Sequence, residues 1–353
     1  VCNNAFIIWK RAVMKHTMFC KRLSFIYFGL FILLMVCITE GLMQGYTSYS
    51  PVQLYEGVLY WVQGLSNTNM DAAIIGELRL PRIIMAMAVG MGLSTSGIVM
   101  QSIFKNPMAD PYILGISSGA ALGIVASVTL GLGAVLGSNV IQFGAFLGAL
   151  IISLIAIFAS NLYQKNPSRF LMIGVALGAI CSALAGVLIF IGASKSGIDL
   201  TLYWMMGSIS FVPLGQSIYA FVVALLAFFF FTSQSRILNL MREGQQVAIT
   251  LGYSLYWYIK GYLFINAILV GSIVMNSGLI GFVGLLIPHL VRIFVGDNTR
   301  VLLPLTAFIG MIVSLLADVV GRTMLHGVDI PLGITFAIIG APVFIILLIR
   351  HNR

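Results

Sequence analysis

The stretch IIMAMAVGMGLSTSGIVMQSI, residues 83–103, carries no charged side chain and is bracketed by Arg82 and Lys105. Its length is what a helix needs to cross a hydrocarbon core of roughly 30 Å. Similar windows recur along the chain, and spans are expected at about 23–43, 83–103, 112–131, 139–160, 170–191, 212–232, 259–277, 281–295, 302–318 and 334–349. Composition agrees: 60% of residues are hydrophobic, 8% are charged and the mean hydropathy is +1.05, whereas a soluble domain carries about 25% charged residues. Alternating ten-residue strands are absent from the pattern, which argues against a barrel. The expected fold is an all-α integral membrane protein of about ten transmembrane helices.

An even number of spans puts both termini on one side. With that side cytoplasmic, 15 of the 19 Lys and Arg lie inside, and only Arg79, Arg82, Lys195 and Arg322 lie outside. This is the positive-inside bias. The net charge of +9 is thereby a matter of topology, and no basic face suited to nucleic acid is seen. The first span, Phe25 to Ile38 behind Lys21 and Arg22, reads as an uncleaved anchor because no small-residue cleavage site follows it. Met14 or Met18 is a candidate initiator. The chain divides into an N-terminal cytoplasmic segment, 1–22, and one transmembrane domain, 23–350, with a polar cytoplasmic segment at 236–256. Cys2, Cys20, Cys37 and Cys181 show neither CxxC spacing nor pairing, so neither a disulfide framework nor a zinc site is indicated.

The chemistry is sparse. No GxxxxGK[ST] is present, so no nucleotide site is encoded. Ionisable residues at mid-membrane, the mark of ion-coupled carriers, are nearly absent: Glu40, Asp110, His289 and Asp318 fall near predicted helix ends. Energy from a separate subunit is favoured over an ion gradient, with a secondary carrier as the alternative. Gly115-Ile116-Ser117-Ser118-Gly119 fits GxSxG, and His289 or His326 would be its base in an intramembrane hydrolase. That elbow needs a strand before it, and here it opens an apolar helix.

Three regions remain. Arg79, Arg82 and Arg322 form a sparse outer basic set, suited to partner carboxylates; alternatively they snorkel, with Asp318 pairing Arg322 at i, i+4. Within Arg242 to Tyr253, Val247, Ala248 and Leu251 recur at helical spacing before Gly252, a helix terminator. Such a short amphipathic helix either docks in a partner's groove or lies on the membrane surface. Pro107 and Pro111 are helix stops.

Leu78-Arg79-Leu80-Pro81-Arg82, Gly97 to Gln101, Asn106-Pro107-Met108-Ala109-Asp110-Pro111, Leu114 to Gly119, Tyr203 to Gly207, Gly281 to His289, Arg300 to Pro304 and Gly340 to Phe344 together resemble, in order and spacing, the FecCD family of importer permeases. The resemblance covers roughly residues 50 to 350. It implies a type II ABC importer fold: two ten-span permeases enclosing one path, two ATP-binding subunits below, and an extracytoplasmic substrate-binding protein above. It implies that Arg79, Arg82 and Arg322 meet glutamates of that binding protein. It implies that Gly244, Gln245, Gln246, Val247, Ala248, Leu251 and Gly252 rest on the ATPase, although the family's usual acidic residue after the glycine is Gln245 here. Asn106, Pro107 and Met108, with Pro167 and Ser168, match loops that narrow the cytoplasmic end of the path. The implied subunit is not an enzyme, holds no cofactor of its own and leaves ATP and Mg to its partner, sits in the cytoplasmic (inner) membrane, and pairs with a second permease copy as a homodimer. Ferric siderophore is the expected cargo, with cobalamin and haem as alternatives.

Overall fold

The computed structural model describes the backbone of residues 2–45, 47–64, 69–133, 137, 139–159, 167–192, 198–325 and 328–351; side chains at 2–22, 167–170, 198–200, 348, 350 and 351 fall outside the described set. All described regular structure is helical. In chain order the helices are α1 (Cys2–Met43), α2 (Pro51–Val62), α3 (Met70–Phe104), α4 (Ile116–Thr129), α5 (Asn139–Ala159), α6 (Pro167–Gly192), α7 (Ile198–Met205), α8 (Leu214–Ser233), α9 (Ser235–Glu243), α10 (Gln245–Thr250), α11 (Leu255–Ser277), α12 (Val283–Val295), α13 (Thr299–Thr323) and α14 (Leu332–His351).

Each of the ten apolar windows is a helix. Among the described residues seven helices, within α1, α3, α5, α6, α8, α11 and α13, are long and apolar enough to cross a membrane, and α4, α12 and α14 are shorter apolar helices. The 14 residues of α4 and 13 of α12 cover only about 20 Å at 1.5 Å per residue. Non-helical backbone continues both, and at membrane depth such backbone is tolerable only where protein surrounds it. Gly278 and Ile280 are buried, the Tyr112 hydroxyl donates to the Ile280 carbonyl at 3.2 Å, and the Gly333 N–H donates to the Gly207 carbonyl at 2.9 Å. Both short helices start later than hydropathy places them, because Gly115 (φ 77°) and Phe282 (φ 68°) turn left-handed at their N-caps.

The region between the first two spans is also more structured than hydropathy indicates. Ser50 and Gln53 form a reciprocal capping box at α2, with Pro51 at its first turn. Asn69 caps α3, accepting from the Asp71 and Ala72 N–H groups. Residues 74–79 of α3 are π-helical, so the Leu80 N–H reaches back five residues to the Ile75 carbonyl.

Helix α3 is the hub, packed against α1, α8, α11, α12 and α13 and buried along most of its length. Lipid gives no hydrophobic drive for helix association, so close backbone contact at small residues takes its place. A Cβ at Gly97 would lie 1.8 Å from the Gly284 carbonyl oxygen of α12, and one at Gly123 would lie 2.0 Å from the Gly144 carbonyl oxygen of α5.

Candidate functional site

Charged side chains gather around Arg79 and Arg82 of α3 and beyond its C-terminal end. At one end Arg79, Arg82 and Arg322 lie together, as the sequence led us to expect, but they are not free surface charges. Arg79 and Arg82 are only 6% and 9% exposed. Arg79 donates to the Leu42 carbonyl at 2.6 Å and the Met43 carbonyl at 2.9 Å, and also to the Thr47 carbonyl; its guanidinium carbon sits 4.5 Å over the Tyr49 ring. Arg322 donates to the Gly41 and Gln44 carbonyls, both at 3.1 Å. These two cations thus satisfy carbonyls at and just beyond the C-terminus of α1, where the helix dipole favours positive charge.

Arg82 makes the central ion network. Its Nε meets Asp318 Oδ1 at 2.7 Å, and its two terminal nitrogens grip Asp329 at 2.6 and 2.8 Å. Asp318 also pairs with Arg322 at 3.0 Å, the i, i+4 contact legible in the sequence, and Ser210 donates to Asp329 at 2.7 Å. Burial alone would raise the Asp329 carboxyl, but the Arg82 hydrogen bonds and charge outweigh it and hold Asp329 below the usual carboxylate range. The three arginines thus sit in a largely closed network that includes the Asp318–Arg322 pairing read as the alternative, and Asp329 is its partly exposed member, its side chain 35% accessible. Asp329 was not singled out from sequence; the usable signal was a carboxylate in a loop otherwise lined by basic and apolar residues.

At the other end, α9 and α10 are separated by Gly244 in a conformation (φ 122°, ψ 162°) that L side chains rarely adopt, and Gly252 (φ 79°) ends the α10 turn. Val247, Ile249 and Leu251 are 42, 61 and 59% exposed, whereas Ala248 is 0% exposed. Gln246 is exposed and Gln245 half-buried. Ala248 is therefore the side chain that α10 turns into the bundle, although it shares a helix face with Val247 and Leu251 by spacing, and Ile249, which was not expected from the helical spacing, is accessible as well.

Beside α9 opens a cleft of about 1220 Å³ whose lining includes Asn106, Pro107 and Met108 together with Gln101, Arg242 and Arg292. Asn106 Oδ1 accepts the Met108 N–H at 2.9 Å, after Lys105 closes α3 in a left-handed turn (φ 50°). Arg292 donates to Gln101 Oε1 at 2.7 Å and pairs with Asp297 at 3.0 Å; Arg242 reaches the same Asp297 oxygen at 2.5 Å. Gln101 and Asp297 were not singled out from sequence, although a glutamine inside an apolar span is a usable signal. Pro167 and Ser168 open α6, and their side chains lie outside the described residues. In the GxSxG stretch no strand precedes Ser117; Gly115 is the α4 N-cap, where a Cβ would meet the backbone of Gly174 and Gly178 of α6 at 3.1 and 3.0 Å, so the motif serves helix packing.

Asp110, in the turn between α3 and α4, is a half-buried carboxylate of this end: desolvation pushes it up to about 6, against one hydrogen bond from the Tyr112 N–H at 2.8 Å. A carboxyl raised in the fold stabilises it below the ordinary carboxylate range, and this contribution is lost as pH rises through about 6. Asp110→Asn keeps the acceptor and removes the cost of ionisation. It is expected to leave thermal stability unchanged at pH 4 and to raise it at pH 8, by on the order of 2 kcal/mol, as measured by melting in detergent.

A bundle of apolar helices with glycine-lined crossings, a charged network at one end and an exposed apolar turn at the other has the form of a transporter's membrane subunit. Over residues 32–350 the chain matches the model of the FecCD transport family. It is 40% identical over 280 residues to the vitamin B12 import system permease protein BtuC of Salmonella typhimurium and of Salmonella paratyphi A, covering 79% of this chain and 84% of each relative. A metal-chelate type ABC transporter solved in an inward-facing conformation superposes with a TM-score of 0.78 at 32% identity, covering 93% of this chain and 99% of the other. PsaBC from Streptococcus pneumoniae shares the fold at a TM-score of 0.54 and 16% identity. The chain belongs to the FecCD transport family. It is a multi-pass permease subunit of an ABC importer, with the type II permease fold, and a transport subunit and not an enzyme.

Proposed function

We propose that this permease admits a metal chelate to the cytoplasm, a ferric siderophore in the first instance. The observation that carries the reading is the likeness to a metal-chelate type transporter over 93% of the chain. Cobalamin is the second reading, favoured by 40% identity to vitamin B12 permeases. Uptake of labelled ferric siderophore, cobalamin and haem by cells whose own importers are deleted separates them. Accumulation of the siderophore alone supports the first reading, and accumulation of cobalamin alone replaces it with the second.

The assembly we infer is two copies of this chain, two ATP-binding subunits that hold ATP and Mg, and an extracytoplasmic binding protein. Both termini and α10 face the cytoplasm; the 15 basic residues assigned to that side support this orientation. The α10 turn then rests on the ATPase through Val247, Ile249 and Leu251, with Gly244, Gln245, Gln246 and Gly252 shaping it and Ala248 anchoring it to the bundle. Asn106, Pro107 and Met108, with Pro167 and Ser168, narrow the exit. Binding-protein glutamates meet Arg79, Arg82 and Arg322 at the opposite end, where Arg82 and Arg322 pair with Asp318 and Asp329 while Arg79 is held by backbone carbonyls and makes no ion pair among the described residues. ATP-driven closure of the nucleotide subunits moves α10, and the packed helices transmit that movement as rocking; no covalent step occurs in this chain.

Replacing Val247, Ile249 and Leu251 together by Asp is expected to leave a folded, membrane-inserted protein, because all three are solvent-accessible. ATP-dependent uptake should fall at least about tenfold through loss of an apolar docking surface, with co-purification of the ATPase lost in parallel. Unchanged uptake would remove α10 from the coupling.

A further inference from the structure

We propose that the recess between the end of α8 and the start of α13 binds the phosphate of an anionic lipid in the leaflet at the α10 end of the bundle. The recess, about 490 Å³, is lined by Thr232, Ser233, Ser235, Arg236 and Arg300. Its two arginines come from different helices, α9 and α13, and converge on one space. Arg79, Arg82, Arg242, Arg292 and Arg322 all have internal hydrogen-bonding or ion-pair partners. The Arg236 and Arg300 guanidinium groups have none among the described residues, and both residues are exposed. Two guanidinium forks without internal partners, opening on one recess, supply the charge and the bidentate donors that a phosphate takes.

Two further observations select a lipid as the source of that phosphate. Thr232 lines the recess, and its Oγ1 is buried without a hydrogen-bond partner among the described residues. Directly along α8 the surface is apolar: Leu226 and Phe229 are 64 and 60% exposed on a helix that crosses the membrane, so acyl chains lie against the same helix that ends in the recess. The neighbouring helix marks the interface level. Tyr262 of α11 donates to Gln234 at 3.0 Å, and two residues before it Lys260 sits 4.2 Å over the Tyr256 ring and 5.4 Å over that of Trp257, itself 71% exposed. Aromatic rings with a lysine among them are the side chains that anchor helices at headgroup depth. The α10 surface proposed to meet the ATPase is a separate one, formed by Val247, Ile249 and Leu251.

The test uses the full-length chain purified from bilayer discs of mixed phosphatidylglycerol and phosphatidylcholine, with retained lipid counted by native mass spectrometry. Wild type is expected to retain phosphatidylglycerol over phosphatidylcholine by about tenfold or more, and Arg236→Ala/Arg300→Ala to lose that preference. Arg236→Lys/Arg300→Lys, which keeps the charge and removes the fork, should fall between them, and elution as a single species shows that each variant is folded. Equal phosphatidylglycerol retention by wild type and the alanine pair would overturn the proposal. So would stabilisation of lipid-free wild type by inorganic phosphate alone, which would mark a free-anion site. Loss of ATPase association with lipid retention intact would overturn it too, by making the recess a protein contact.

Discussion

Arg82→Glu is expected to prevent accumulation of folded permease. The substitution removes the one cation that bridges Asp318 and Asp329 and adds a third carboxylate beside them, with Asp318 only 1% accessible. Removing one partner from a buried ion pair costs about 3–5 kcal/mol, and reversing its sign adds repulsion in a region that water barely reaches. The protein should run as aggregate on size-exclusion chromatography in mild detergent. Arg82→Gln combined with Asp329→Asn, which makes that contact neutral and leaves Asp318 paired with Arg322, should recover a monodisperse peak, since replacing both partners costs far less than stranding one. A monodisperse Arg82→Glu protein with wild-type melting would show that the network does not hold the helices together. This also sets how docking must be tested: binding-protein affinity is read on folded variants, such as Arg79→Gln, and not from loss of uptake alone.

Gly97→Leu is the second large effect. Its Cβ would come within 1.8 Å of the Gly284 carbonyl oxygen, 2.6 Å of the carbonyl carbon and 2.9 Å of the α carbon. Backbone cannot rotate out of the way, so α3 and α12 must separate, and with them goes the contact that positions Gln101 against Arg292. Overpacking against yielding side chains costs about 1–3 kcal/mol, and against backbone the cost should exceed that. Loss of the folded peak is expected for Gly97→Leu. Gly261→Leu serves as the control: it is an exposed position where an added Cβ would meet nothing within 4 Å, and should behave as wild type. Equal behaviour of the two variants would contradict the close crossing.

What hydropathy shows is where chain can enter lipid, and all ten windows it marks are helices. It is blind to where a helix breaks inside the bundle. The late starts of α4 and α12 depend on two left-handed residues and on the Tyr112–Ile280 hydrogen bond, a contact between positions 168 apart. The same limit applies to the ends of α3. Arg322 and Asp318 are one turn apart and their pairing was readable, whereas Arg82 meets Asp318 and Asp329 across 236 and 247 residues, and nothing local signals that. The arginines were therefore visible as a set, and their internal partners were not. On α10 the glycine boundaries were legible because Gly244 and Gly252 punctuate the chain, but the outward face was not, because a six-residue helix offers less than two turns from which to read a period.

The most direct measurement is uptake into proteoliposomes holding this chain with its ATPase and binding protein, with ATP inside or withheld and with or without an ion gradient. Uptake that requires ATP and the ATPase, and that is insensitive to the gradient, is the predicted result. Uptake driven by the gradient with the ATPase left out would contradict the assignment of energy to a partner subunit.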